Sequence, residues 1–118
     1  MIDTKEFYDY LKQVPLYQEV KIGDKDFYFV HGKPSLENSE EEFLWGQIER
    51  EEFLFDNKIV VFGHTPTAHY QNNSPMSVWT YDKKIGIDCG CGWQKNGGRL
   101  GCICLETMEE HYINVANG

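Results

Sequence analysis

The longest uninterrupted apolar run in the chain, Ile59-Val60-Val61-Phe62, places the strongest constraint on the fold. Consecutive β-branched and aromatic residues predict a buried strand, and the following Gly63-His64-Thr65-Pro66 predicts a loop because Gly and Pro interrupt regular structure. A second apolar run, Phe27-Tyr28-Phe29-Val30, leads in the same way into His31-Gly32. The sequence therefore predicts two buried strands that each deliver a histidine to a loop.

Patterns elsewhere predict two helices. Asp3 begins a capping motif, after which apolar residues recur at helical spacing until Pro15 ends the pattern; these residues are Phe7, Tyr10, Leu11 and Val14. Ser39 and Glu42 form a second capping box, and we expect Phe43, Leu44 and Ile48 to lie on one face of the helix that follows.

Five further strands are indicated by alternating or β-prone segments, at 17–22, 77–81, 84–88, 100–105 and 111–115. The first forms a hairpin with the strand that precedes His31, and the others pair as two hairpins in the second half of the chain. We therefore predict a mixed α+β (α/β) fold with a mixed sheet and about two helices. Its 118 residues form a single domain over 1–118.

Charge and hydropathy exclude several classes of partner. The net charge of −8 disfavours binding to a nucleic-acid backbone or an anionic membrane. No apolar run approaches the roughly 18 residues of a membrane-spanning helix, and no secretory signal precedes the first helix. We therefore expect a cytoplasmic location.

The two histidines would share one edge of the sheet if their strands were parallel neighbours, because ligands bind beyond the carboxyl ends of such strands. Imidazole is a common ligand for Zn, Fe and related ions, and an adjacent Gly allows close approach. The spacing alone leaves open whether His31 and His64 bind metal or are ordinary hydrogen-bonded loop residues.

Four motifs together carry a family resemblance. The segments Phe29-Val30-His31-Gly32, Leu44-Trp45, Val60-Val61-Phe62-Gly63-His64-Thr65-Pro66, and Ile87-Asp88-Cys89-Gly90-Cys91 with Gly97-Gly98-Arg99-Leu100 occur in this order. The sequence resembles the calcineurin-like metallophosphoesterases, within the serine/threonine protein phosphatase and bis(5′-nucleosyl)-tetraphosphatase branch. The resemblance implies the carboxyl-terminal half of their β-sandwich, which is flanked by helices.

By this resemblance His31 and His64 are ligands of the second of two divalent ions, Mn, Fe or Zn, which lie about 3.5–4 Å apart in the complete family site. The complete enzymes are hydrolases of phosphomonoesters or dinucleoside polyphosphates. Their remaining ligands come from amino-terminal motifs of the types GDxHG, GDxxDRG and GNHE, which this sequence does not contain.

The absence of those motifs predicts at most one partial metal site, no catalytic residue and no activity for the chain alone. The first helix resembles the family segment that follows the catalytic half, so the chain is expected to be a fragment, a split partner or a degenerate gene product. Its expected partner is the missing amino-terminal half or a second copy of itself, as a dimer. The alternative is a noncatalytic, self-associating or partner-binding module derived from the same fold.

Three further features of the sequence have two interpretations each. Many relatives place a phosphate-binding Arg two residues beyond the Trp, where this chain has Gln47; Arg50 could take that substrate-binding role or be an exposed helical charge. Asp88 could bind metal or cap a turn. The pairs Cys89/Cys91 and Cys102/Cys104 are interpreted as buried free thiols in strands, with a four-thiolate zinc site as the alternative.

Overall fold

The computed structural model describes residues 3–73 and 75–114. Its helices are α1 (Thr4–Gln13) and α2 (Glu40–Trp45), and its strands are β1 (Tyr17–Ile22), β2 (Lys25–Val30), β3 (Lys58–Phe62), β4 (Trp79–Tyr81), β5 (Lys84–Gly86), β6 (Leu100–Cys104) and β7 (Glu109–Ile113). Single 3-10 turns lie at Thr67–His69 and Gln94–Asn96. The predicted mixed α+β architecture with two helices and a mixed sheet is confirmed.

Five strands form the main sheet in the order β1-β2-β3-β5-β4, and β6 and β7 form a separate two-stranded sheet. The central strands β2, β3 and β5 are parallel, with Phe29 opposite Val61 and Val61 opposite Ile85. The outer strands β1 and β4 pair antiparallel to their neighbours. The carboxyl ends of the three parallel strands therefore meet at one edge of the sheet.

Alternation along the central strands gives the main sheet two apolar faces. One face packs Tyr28, Val30, Val60 and Phe62 against α2 and the segment after it. The opposite face packs Phe27, Val61, Ile85 and Met76 against the β6–β7 hairpin. Because both faces of β2 and β3 are covered in this way, these strands have continuous apolar runs rather than an apolar and polar alternation.

Helix α1 begins as the sequence predicts, with the Asp3 carboxylate accepting a hydrogen bond from the Lys5 amide at 2.8 Å. Its apolar stripe nevertheless contains no buried residue. Phe7, Tyr10, Leu11 and Val14 all remain about half exposed. The capping signal therefore predicts the helix correctly, whereas the amphipathic pattern has no covering surface within the described residues.

Helix α2 begins at the predicted cap, where the Ser39 hydroxyl accepts from the Glu42 amide, but it is shorter than expected. It ends at Trp45 because Gly46 turns into extended conformation while its amide bonds the Glu42 carbonyl at 2.9 Å. The expectation that Ile48 lies on this helix is wrong. Ile48 reaches the core from the following loop, where it is fully buried.

Strand boundaries also differ from the prediction. The segments 77–81 and 84–88 contribute only three paired residues each, as β4 and β5. The last strand begins two residues early, at Glu109, and Val115 of the predicted segment lies outside the described residues. None of the helices in the described ranges is long and apolar enough to cross a membrane.

Candidate functional site

His31 and His64 lie together at the edge where the parallel strands end. Val30 pairs with Phe62 in the last rung of the β2–β3 ladder, and the ladder continues because the Gly63 amide donates to the His31 carbonyl at 3.0 Å. The two imidazole ring centres are 5.2 Å apart, and the ring planes cross at 61°. The structure thus brings together the two histidines that the sequence singles out.

His64 occupies a tight turn with an unusual backbone. Its φ is 65°, in the left-handed region that residues other than glycine rarely adopt. The Thr65 amide donates to the Gly63 carbonyl at 2.7 Å, so His64 is the central residue of a three-residue turn. Such conformations cost about 1–3 kcal/mol and concentrate at functional sites.

The loop after His31 is anchored by the end of α2. Gly32 and Lys33 donate their amides to the carbonyls of Phe43 and Glu42, at 2.6 and 3.1 Å. The first bond satisfies the Phe43 carbonyl, which the helix end otherwise leaves without an intrahelical partner, and the second adds a donor to the Glu42 carbonyl that also accepts from Gly46. They also determine where the helix ends, and the exposed Trp45 ring stands edge-on to His64 with 5.6 Å between ring centres.

The ring centres of the two histidines are spaced as those of two ligands on one ion can be. Imidazoles that bind a common ion through nitrogen at about 2.0–2.1 Å have ring centres roughly 4.5–5.5 Å apart, and the observed separation falls in this range. Over residues 3–73 and 75–114, no group of three or more His, Cys, Asp or Glu side chains is gathered to hold a metal ion. The two histidines could therefore supply only part of the ligands that a metal ion needs.

Arg50, the predicted substrate-binding residue, lies on another part of the surface. Its guanidinium stacks over the Tyr81 ring at 4.6 Å, and its Nε is 3.7 Å from the Glu51 carboxylate. The Arg50 side chain is exposed, as one interpretation expected, but the residue lies in a turn after α2 and not on a helix. The structure therefore does not bring Arg50 to the two histidines, and its role in binding substrate stays a prediction.

Gln47, at the position where the resemblance leads one to expect Arg, instead contacts a third histidine. Gln47 Nε2 lies 3.1 Å from His69 Nε2, and the His69 ring stands edge-on to Tyr70. Burial raises the pKa of Tyr70 to about 12, so its phenol stays protonated and donates to the Ile48 carbonyl at 2.6 Å. The sequence analysis did not single out His69, which follows His64 by five residues.

Asp88 has the turn-capping role that the sequence left as one of two interpretations. Its carboxylate accepts from the Gly90 amide at 3.0 Å, and its main-chain carbonyl accepts from the Thr67 amide at 2.8 Å. The second bond joins the segment after β5 to the turn that follows His64. Asp88 thus helps to hold the loop that contains His64 at the edge of the main sheet.

An apolar groove of about 410 Å³ runs from the α1–β1 connection to His31. Its lining includes Val14, Phe29, Leu44 and Ile87. Three of these side chains are more than one-third exposed, although each is of a type that proteins usually bury. The candidate site therefore borders an apolar surface that the described residues leave open.

The four cysteines are free thiols, as expected, but the expectation that all are buried in strands is wrong. Only Cys89 is buried, and burial raises its thiol pKa. Cys91 lies in an exposed turn, and Cys102 and Cys104 face outward from β6 because they occupy alternate positions on its open face. A four-thiolate zinc site would require Cys89 to leave the core.

No protein-family model matches this chain, and no curated protein matches it. The candidate site thus stands on its own geometry and on the motifs of the sequence.

Proposed function

We propose that this chain is the carboxyl-terminal part of a metal-dependent phosphoesterase and contributes two of the ligands of a metal site. One observation carries the proposal: His31 and His64, from the ends of adjacent parallel strands, have ring centres 5.2 Å apart. The family motifs around them supply the reaction class. The substrates of the complete enzyme would be phosphomonoesters or dinucleoside polyphosphates.

In the complete enzyme this chain would hold two metal ligands in place and would supply no catalytic group. His31 is held by the extended ladder and by the end of α2, while His64 is held in its strained turn. The backbone of both histidines is therefore held in place before any ion binds, which lowers the cost of bringing the two imidazoles together. A divalent ion bound there would polarise a phosphoryl oxygen and make bound water nucleophilic.

The groove beside His31 supports the idea of a second half. A hydrolytic metal site of this class requires carboxylate ligands as well as imidazole, and the described residues place no acidic side chain with the two histidines. A segment that packed its own apolar residues on Val14, Leu44 and Ile87 would bring further ligands to the same edge. We expect the chain alone to have no phosphatase activity.

Paramagnetic broadening tests the proposed ligands directly. Mn²⁺ is added stepwise to the purified chain while the ring-proton NMR signals of its four histidines are followed. We expect the signals of His31 and His64 to broaden first and together. In His31→Ala the His64 signal should resist broadening, and in His64→Ala the His31 signal should do so, because one imidazole alone binds Mn²⁺ weakly.

The matched control is His69→Ala, which removes an exposed histidine paired with Gln47 and should leave the broadening unchanged. Equal broadening of all four histidine signals, or unchanged broadening in both site variants, would remove the ligand proposal. An assay with p-nitrophenyl phosphate and Mn²⁺ gives a second readout. Turnover by the chain alone that survives His31→Ala would contradict the half-site interpretation.

The second candidate function is a noncatalytic module that associates with itself. The observation that favours it is the apolar stripe of α1, whose residues Phe7, Tyr10, Leu11 and Val14 cover no core. Exposed apolar patches of this kind are typical of interaction surfaces. Sedimentation equilibrium tests it: Leu11→Glu should shift a dimer toward monomer, whereas Leu36→Glu, at a fully exposed site elsewhere, should not.

A further inference from the structure

The β6–β7 hairpin has one anchored face and one open face. On the anchored side, the Tyr112 hydroxyl accepts from the Val78 amide at 2.9 Å, and the Arg99 guanidinium lies 3.6 Å above the Tyr112 ring. Ile103 also packs against the core from this side. The opposite side is exposed along both strands, so the polar and sulfur-containing residues there have no structural role in the core.

Four side chains of types that commonly bind metal occupy that open face. Cys102 pairs with His111 and Cys104 pairs with Glu109, in alternate positions of the antiparallel ladder, so all four share one face. Directly paired residues have Cβ atoms about 4.5–5.5 Å apart, and alternate residues of one strand are separated by about 7 Å. Zinc bonds of about 2.3 Å to sulfur and about 2.0–2.1 Å to nitrogen are long enough to span these distances.

The side chains on this face already interact in part. His111 Nε2 lies 3.7 Å from the Glu109 carboxylate, so the imidazole and the acid point toward each other.

The two thiols of β6 are poorly placed to bond each other. A disulfide needs Cβ atoms about 3.5–4.5 Å apart, well below the spacing of alternate residues on a strand. The thiols, the imidazole and the carboxylate are not yet gathered around one point. Exposed side chains reach a common ion by rotation about their own bonds, and neither strand has to move.

We propose that the open face of the β6–β7 hairpin binds one thiophilic divalent ion of the zinc type through Cys102, Cys104 and His111, with Glu109 at the fourth position. This site is separate from the His31 and His64 edge and shares no ligand with it. It also differs from a four-cysteine site, because it uses an imidazole and leaves Cys89 in the core.

Cadmium is the probe for this site, because it resembles zinc and its thiolate bonds absorb in the ultraviolet. The full chain, reduced with a phosphine and freed of metal, is titrated with Cd²⁺. We expect a charge-transfer band that saturates at one equivalent. The double variant Cys102→Ser, Cys104→Ser should lose the band, and His111→Ala should keep it while weakening affinity at least about tenfold.

Two controls separate this site from the rest of the chain. Cys91→Ser removes an exposed thiol outside the hairpin, and the double variant His31→Ala, His64→Ala removes the other candidate ligands. Both should leave the band and its midpoint unchanged. Far-ultraviolet circular dichroism checks that each variant is folded, which is expected because the substituted hairpin residues are exposed.

The proposal is overturned if the band survives in the double cysteine variant, if Cys91→Ser removes it equally, or if no band forms at one equivalent. An unchanged affinity in His111→Ala would remove the imidazole from the ligand set. Because the His31 and His64 variants are read separately, a failure here is distinguishable from a failure of the phosphoesterase proposal.

Discussion

Substitution of Gly32 by alanine tests how the loop after His31 is held. A Cβ at this position would lie 2.8 Å from the Glu42 carbonyl oxygen, 2.9 Å from that of Phe43 and 3.0 Å from the Gly46 amide nitrogen. All three are backbone atoms, so no side chain can rotate away to make room. The last turn of α2 and the loop must therefore separate.

The cost follows from the contacts that this separation breaks. The amides of Gly32 and Lys33 lose bonds to α2, each worth about 0.5–1.5 kcal/mol, and crowding a packed region costs about 1–3 kcal/mol. Since breaking the bonds relieves part of the crowding, the two costs overlap. We expect Gly32→Ala to lower the free energy of unfolding by about 2–4 kcal/mol.

Urea unfolding followed by circular dichroism measures the effect, and Gly92→Ala is the matched control. A Cβ at Gly92 meets no atom within 4 Å. That variant should be unchanged or stabilised by up to about 1 kcal/mol through the unfolded state. If Gly32→Ala costs less than about 1 kcal/mol relative to Gly92→Ala, the rigid seating of the loop on α2 is refuted.

Three other substitutions test the core and its charges. Burial alone would raise the pKa of Glu52, but the Lys33 ammonium at 2.6 Å lowers it. Glu52→Gln should therefore cost about 0.5–1 kcal/mol at neutral pH. Because the pKa of Glu52 is lower in the folded state, this difference should shrink in unfolding curves as the pH falls below 4.5, the ordinary value for Glu; a difference that stays constant with pH would contradict this. Thr67→Val should stabilise by about 1 kcal/mol in thermal unfolding, because the buried Thr67 hydroxyl has no partner among the described residues; destabilisation would refute it. Ile48→Ala should cost about 2–5 kcal/mol and Leu36→Ala less than about 0.5, by urea unfolding, because the first is fully buried and the second almost fully exposed; similar values would contradict the burial difference.

Much of the candidate site could be predicted from local sequence. Two apolar runs of four residues, each followed within two positions by a histidine, were sufficient to predict that both histidines leave a buried strand at its carboxyl end. The turn chemistry of Gly63 and Pro66 predicted the loop around His64. The capping residues Asp3 and Ser39 correctly predicted where both helices begin.

Long-range contacts explain the errors. Ile48 continues the helical spacing of Phe43 and Leu44, but α2 ends before it because Gly46 adopts an extended backbone and the Gly32 amide occupies the Phe43 carbonyl. His69 was missed because its partner Gln47 is 22 positions away in sequence and comes close only through folding.

The exposure of the cysteines in β6 also depends on long-range contacts. A spacing of two residues predicts that Cys102 and Cys104 share a face, which the structure confirms. Periodicity does not specify which face packs on the core. Tyr112 and Ile103 occupy the core-facing side of the hairpin, so the thiols are exposed.

Local patterns in the sequence predict the type and order of the elements and the two histidines that follow the apolar strands, because these properties depend on neighbours a few positions apart. Which residues come into contact depends on the tertiary fold. The parallel pairing of β2 with β3 brings the His31 and His64 rings to 5.2 Å, whereas the packing of Arg50 on Tyr81 directs that guanidinium elsewhere. Strand pairing and side-chain packing depend on the free energy of the whole fold, which no local pattern contains.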